Sequence, residues 1–195
     1  ESGLYRAHDD WYAPDWLSAV EVVKGASSSL HGGGALGGAV SMMTPEPWEL
    51  ATSGELGGTL LRTSWSAVAD ELAVTPTVYG HASEVWYSFG TTGRTSNDVR
   101  TGDGTHLDKS ASETNSFSGK AAWRGTDRES FRIGYTSYAQ AGDSQINLDS
   151  DTANPADLAH RRTLQNVTTL AYRSAPGRSR WLNLSADAFV TLLRL

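Results

Sequence analysis

The sequence predicts an all-β chain whose strands belong to an antiparallel β-barrel of the membrane-spanning kind. Apolar and polar residues alternate with period two in one segment after another, the pattern of strands with two unlike faces. Most of these segments run to about 9–11 residues or a little longer, the length that crosses a bilayer at barrel tilt. Short connections alternate with longer ones rich in Gly, Asp, Asn, Ser and Thr, as in barrels with tight turns at one end and long loops at the other. A β-sandwich would show the first pattern but has no need of the last.

Taken in order, residues 1–18 hold His8-Asp9-Asp10-Trp11-Tyr12 and Pro14-Asp15-Trp16, a loop leading into a short helical turn between Asp15 and Ala19. Val20, Val22 and Val23 read as a strand that ends at Lys24-Gly25. After a Ser/Gly-rich turn a second β-prone run, Ala39 to Thr44, stops at Pro45 and Pro47. Gly32, Gly33, Gly34, Gly37 and Gly38 open positive φ angles to this turn. Residues 46–54 form a linker.

Strands are then expected at 55–63, 72–80, 84–94, 114–124, 129–140, 161–174 and 180–190. The alternation is cleanest where Phe117, Gly119, Ala121 and Trp123 oppose Ser116, Ser118, Lys120 and Arg124. Phe131, Ile133 and Tyr135 likewise oppose Arg132, Gly134 and Thr136. Val85, Tyr87 and Phe89 oppose Glu84, Trp86 and Ser88, and Leu182, Leu184, Ala186, Ala188 and Val190 oppose Asn183, Ser185 and Asp187. The short connections are 81–83, 125–128 and 175–179; the long ones are 64–71, 95–113 and 141–160. Pro76 cannot donate to a ladder, so it implies a bulge or a later strand start. Trp65, Trp86, Trp123, Tyr138, Tyr172 and Trp181 stand near strand ends, where interfacial girdles form.

Composition narrows the function. The chain of 195 residues is 38% hydrophobic and 19% charged, enough for one large or two small folded units. No apolar run reaches the length of a membrane helix, and a barrel needs none. A formal net charge of −6 argues against a nucleic-acid partner. The absence of cysteine removes disulfides and thiolate metal sites. The chain opens without a signal segment and stops in a strand-like run, so it reads as a fragment of a longer protein.

Gly32, Gly34 and Gly37 fit G-x-G-x-x-G. A dinucleotide site needs a helix directly after those glycines, and here a strand and two prolines follow. No G-x-S-x-G elbow, H-E-x-x-H helix or paired-carboxylate context appears, so an enzyme is not expected. Asp9-Asp10 and Asp149-Asp151 read as solvated loop acids. The run Asn147–Asp157 lacks EF-hand spacing.

The ordered run Val20-Glu21-Val22-Val23-Lys24-Gly25, Ser28-Ser29-Leu30-His31-Gly32, Gly34-Ala35-Leu36-Gly37-Gly38-Ala39-Val40 and Thr44-Pro45 resembles the end of the plug domain of TonB-dependent outer-membrane receptors. The resemblance implies that residues 1–48 are the C-terminal part of a small α/β plug. Residues 49–195 would then be the first strands of a truncated barrel that has about 22 strands in the whole receptor. It further implies a bacterial outer-membrane location, contact with membrane lipid, and a TonB complex acting through a segment that precedes this chain.

Arg161-Arg162-Thr163-Leu164-Gln165-Asn166, Leu170-Ala171-Tyr172-Arg173-Ser174-Ala175-Pro176 and Trp181-Leu182-Asn183 look most like the heme and hemoglobin receptors of that group. In these, a plug-loop histidine shortly before the V-E-x-V-K-G strand is an axial iron ligand, and His8 stands at the matching place. Imidazole suits heme iron, and Trp11 and Tyr12, with Trp16 nearby, are suited to flank a flat macrocycle. No other metal site is implied, and heme is cargo rather than cofactor. The resemblance sets the second ligand in a barrel loop beyond this chain. His106 and His160 fall in expected outer loops, His81 in an inner turn and His31 in the plug motif. The alternatives are a ferric-siderophore receptor of the same kind, or a soluble all-β module binding glycans through surface Trp and Tyr.

Overall fold

The computed structural model describes residues 14–25, 38–107, 110–126, 129–145, 158–174 and 184–194. A 3-10 turn at Pro14–Trp16 precedes β1 (Ala19–Lys24), which pairs antiparallel with β2 (Gly38–Met43) from Ala19↔Met43 to Lys24↔Gly38. Gly38 has φ +142°, and a Cβ there would lie 2.4 Å from the Val23 carbonyl oxygen, so only glycine starts β2 this close to β1. A strand, not a helix, therefore follows the G-x-G-x-x-G match, whose glycines lie outside the described residues. A four-residue helix α1 (Pro47–Leu50) comes next; its entry is fixed by the Glu46 amide donating to Glu49 Oε2 at 2.8 Å.

The rest is one sheet. β3 (Gly57–Ser66), β4 (Glu71–Ala82), β5 (Val85–Ser96), β8 (Ser112–Thr126), β9 (Glu129–Gln145), β10 (Leu158–Ser174) and β11 (Leu184–Arg194) pair antiparallel, each with its neighbour in sequence. Two short strands, β6 (Val99–Arg100) and β7 (His106–Leu107), form a separate ribbon within the loop between β5 and β8. The sheet is open, with β3 and β11 at its edges. All seven expected strands are present, most of them longer than the alternation alone suggested.

Several local expectations change. The connection expected over 64–71 shrinks to residues 67–70, because the alternation continues through Ser64-Trp65-Ser66; Asp70 takes φ 44° and accepts from Trp65 Nε1 at 3.0 Å. The turn expected over 81–83 is residues 83–84, so His81 sits in β4. Pro76 neither bulges β4 nor delays it. Its β4–β5 register runs unchanged from Val74↔Gly93 to Thr77↔Gly90, with the pairs between them unmade.

The two faces of the sheet are unlike. The face turned to the N-terminal segment is small and polar, with Thr75, Thr77, Ser88, Thr92, Thr114, Ser116, Ser118 and Thr163 all buried. Thr75 and Thr92 share a hydroxyl–hydroxyl hydrogen bond of 2.8 Å across the pairs that Pro76 leaves unmade. The opposite face carries Leu72, Val74, Val78, Phe89, Phe117, Trp123, Phe131, Ile133, Tyr135 and Leu170, every one exposed. Burying threonine while exposing phenylalanine inverts the usual order of a water-soluble domain. It is the order of a barrel wall with a polar interior and an apolar girth.

Parity also sorts the aromatic residues expected in girdles. Trp65, Trp123 and Tyr172 share the apolar face, as their partners Leu72, Val85 and Phe131 show. Trp86 and Tyr138 do not. Trp86 stacks on His81 with ring centroids 4.4 Å apart, and Tyr138 is 4% exposed beside Trp16. Each stands at the wrong parity for the outer face: Trp86 is in step with buried Ser88, and Tyr138 pairs with buried Ser116. Trp181 lies outside the described residues.

Among the described residues, Trp16 is the largest buried apolar side chain that the N-terminal segment sets against the sheet. It is 6% exposed, its Nε1 donates to Ser116 Oγ at 3.2 Å, and its six-membered ring lies over Gly90. A Cβ at Gly90 would lie 1.9 Å from Trp16 Cη2 and 2.8 Å from the Pro76 carbonyl oxygen. Gly90→Ala is expected to lower the unfolding free energy by about 1–3 kcal/mol through overpacking. In a denaturant titration of the full-length protein, its cost should shrink when combined with Trp16→Ala, which removes the clashing ring.

Candidate functional site

Side chains on the polar face hold the N-terminal segment at four levels along the strands. At the end where the longer loops gather, Arg94 Nη2 donates to Asp15 Oδ2 at 2.7 Å while Nη1 donates to Glu71 Oε1. Arg62 Nη1 donates to the Asp15 carbonyl oxygen at 3.1 Å. At mid-sheet Trp16 sits on Gly90. Further along, Lys120 Nζ donates to the Thr44 carbonyl oxygen at 2.9 Å, and Glu46 Oε1 receives both Lys120 Nζ at 3.6 Å and Arg132 Nη1 at 3.0 Å. Near the short-turn end, the Arg124 guanidinium lies 5.1 Å from the centroid of the Trp48 ring, in cation–π range.

These contacts are legible from physics once the faces are known. Arg94, Lys120, Arg124 and Arg132 lie at inward parity, on the face that the N-terminal segment covers. Each needs a partner on the segment covering that face. The pairs are half-buried, so they position the segment more than they stabilise it. Beside Glu46 a cleft of about 180 Å³ opens between Lys120, Arg132, Gly134, Thr169 and Asp187.

The loop end is knit separately. The Asn97 and Arg100 amides donate to the Ala69 and Val68 carbonyl oxygens at 2.8 and 2.7 Å, tying the 67–70 turn to the long loop. Asp98 Oδ1 accepts the Ser110 and Ala111 amides at 2.8 and 3.0 Å, closing the neck of that loop. At its tip, Asp103 Oδ1 accepts the Thr101 hydroxyl at 2.6 Å, the Thr105 amide at 3.1 Å and the Thr105 hydroxyl. These donors hold the Asp103 carboxyl down at about 2, mainly through Thr101 and then Thr105.

Of the histidines considered from sequence, His106 is exposed in β7 on this long loop, at the end where Asp15 is anchored. His160 belongs to β10 and not to a loop, since β9 and β10 run on to Gln145 and Leu158. His81 packs on Trp86, with its Nδ1 buried and unpartnered. His8, Trp11, Tyr12 and His31 lie outside the described residues, as do Asp9, Asp10, Asp149 and Asp151. Sequence reasoning did not single out Asp15, Glu46, Arg94, Lys120 or Arg132. The signal available was cationic residues at the parity of a Ser/Thr face.

No protein-family model matches the chain. It is 26% identical over 179 residues to the hemin receptor of Yersinia enterocolitica, covering 90% of this chain and 26% of that one. It is 25% identical over 140 residues to the heme/hemopexin utilization protein C of Haemophilus influenzae, covering 71% and 19%. A shorter stretch of 51 residues, 26% of the chain, is 45% identical to lactoferrin-binding protein A of Neisseria meningitidis. Among solved structures, the FrpB iron transporter of Neisseria meningitidis (F3-3 variant) superposes with a TM-score of 0.78 at 21% identity, over 92% of this chain and 29% of that one. The chain thus spans about a quarter of the length of the hemin receptor and shares a barrel-wall fold with the transporter. One of these relatives is named a receptor and the structural neighbour a transporter, and the likeness to TonB-dependent outer-membrane receptors read from the sequence is borne out by them.

Because the Asp103 carboxyl is held below its ordinary 3.8, the order it confers is complete above that value and is lost as pH falls through about 2. Amide protection at Thr105 should persist to about pH 4 and fade toward pH 2. In Asp103→Asn the protection should no longer depend on pH across that window, as hydrogen exchange on the full-length protein would show.

Proposed function

We propose that this chain is part of a TonB-dependent receptor of the bacterial outer membrane that takes up iron as heme. Residues 1–48 would supply the end of its plug and residues 49–195 the first seven strands of its barrel wall. The observation that carries this reading is the inverted sheet, which exposes Phe89, Phe117 and Ile133 while burying Thr75, Thr92 and Ser116. A soluble glycan-binding module would have to leave that apolar band in water.

The N-terminal segment supports the plug assignment by its chemistry. It meets the sheet through Asp15, Trp16, Thr44, Glu46 and Trp48, mostly by ion pairs and hydrogen bonds to a polar wall. An interface of this kind separates at lower cost than an apolar core, as a plug that must move requires. Force on the plug would come from a TonB complex acting on the whole receptor.

Heme is the favoured cargo because two relatives, matching over 90% and 71% of this chain, are named a hemin receptor and a heme/hemopexin utilization protein. A ferric siderophore is the alternative, since the FrpB transporter is named for iron. Asp15 is anchored by Arg94 at the loop end, and seven residues of chain hold His8 within about 25 Å of it. That reach suits His8 as an axial iron ligand at the outer mouth, with Trp11 and Tyr12 against the macrocycle and a second ligand from a later barrel loop.

In a hemin titration of the full-length receptor in detergent, wild type should give a saturable shift of the visible absorption band. His8→Ala should weaken binding by about tenfold or more, the range seen on disturbing a metal ligand shell. A shift unaffected by His8→Ala would remove His8 while keeping heme. Absence of a saturable shift would move the cargo to ferric siderophores.

A further inference from the structure

The inward face of the sheet is cationic in a chain of net charge −6. By register, Arg62, Arg94, Lys120, Arg124, Arg132 and Arg173 share the parity of the buried Ser/Thr rows, against Glu71 and Asp187 on the same face. Much of the compensating charge belongs to the N-terminal segment and not to the wall: Asp15 answers Arg94, and Glu46 answers Lys120 and Arg132 together. Moving that segment takes the carboxylates with it.

The Lys120–Arg132 pair also has room beside it. The cleft of about 180 Å³ next to Glu46 is floored by Gly134, where a Cβ would come within 2.6 Å of Thr169 Oγ1. Any side chain there would fill the space in front of the two cations. Two cations on adjacent strands, joined by one shared carboxylate oxygen, present several N–H donors to a second carboxylate. Once Glu46 leaves, Asp187 is the one acid left among the described residues lining the cleft, and two half-buried cations facing it favour a replacement anion.

We infer that Lys120 and Arg132 form a carboxylate-binding station on the inner wall, filled by Glu46 at rest and by the carboxylates of an anionic cargo in passage. The station extends the uptake reading and rests on it for the movement of residues 1–48. As a binding site it stands on the wall residues alone. Its ligand class is a small or chelate-borne carboxylate, which the propionates of heme would satisfy. Arg94 toward the loops and Arg124 toward the short turns continue the positive line on either side.

Two measurements on the full-length receptor decide it. In detergent, E46Q empties the station of its resident charge and should gain a saturable rise in unfolding midpoint with succinate. E46Q/K120Q/R132Q should show no rise. An E46Q protein indifferent to succinate, or a triple variant that responds equally, overturns the station whatever the cargo proves to be. In cells, K120Q/R132Q should slow uptake of hemin by about tenfold, the effect of losing a charged hydrogen bond. It should spare uptake of hemin dimethyl ester, whose carboxylates are masked, and leave equilibrium hemin binding at the outer face unchanged. Equal slowing of hemin and ester overturns the role in passage. Failure of wild type to bind hemin would refute the heme reading alone, because the succinate result does not depend on it.

Discussion

Alternation across a single antiparallel sheet places nearly everything else in this chain. A one-residue slip in any strand would exchange its two faces, and here the faces belong to different surroundings. Slipping β8 would turn Phe117 and Trp123 onto the N-terminal segment and send Ser116, Ser118 and Lys120 outward. The register holds past Pro76, where the β4–β5 ladder lacks pairs but keeps its step, and shifts between β8 and β9 at their turn end, between Arg124 and Thr126. The hydroxyl bridge between Thr75 and Thr92 spans that gap on the polar side.

The polar face then determines how the preceding segment is held. Serine, threonine and glycine leave a low, hydrogen-bonding surface on which one large side chain, Trp16, can settle over Gly90. Arginine and lysine rising from the same face reach the segment's carboxylates and carbonyl oxygens. The result is adhesion through a few defined points and little apolar area. Such an interface keeps its parts in register at rest and allows them to part under load, which links the composition of the wall to the transport reading.

Much of this was legible in the sequence. Period-two alternation gave all seven strands and the correct parity for Phe117, Phe131 and Val85, because half-buried strands must alternate. Strand ends are harder to read: Ser64-Trp65-Ser66 resembles loop because serine carries no strand signal, and His160 follows a run rich in Asp and Asn that hides the start of β10. Positions near strand ends point Trp86 and Tyr138 to a girdle, whereas their parity places them inside. The contacts of Trp16 with Ser116 and of Asp15 with Arg94 join residues 100 and 79 positions apart. No local pattern encodes such pairs; they follow only after the strands are laid side by side.

The central claim is that one face of this sheet meets lipid and the other does not. Nitroxide labels placed singly at positions 117, 118, 133 and 134 of the full-length receptor in bilayers would test it through their relaxation by oxygen and by a water-soluble nickel chelate. The account predicts high oxygen and low nickel accessibility at 117 and 133, with both low at 118 and 134, beneath or beside the N-terminal segment. Nickel access at 117 and 133 equal to that of an exposed loop position would contradict it, and the sheet would then belong to a protein in water.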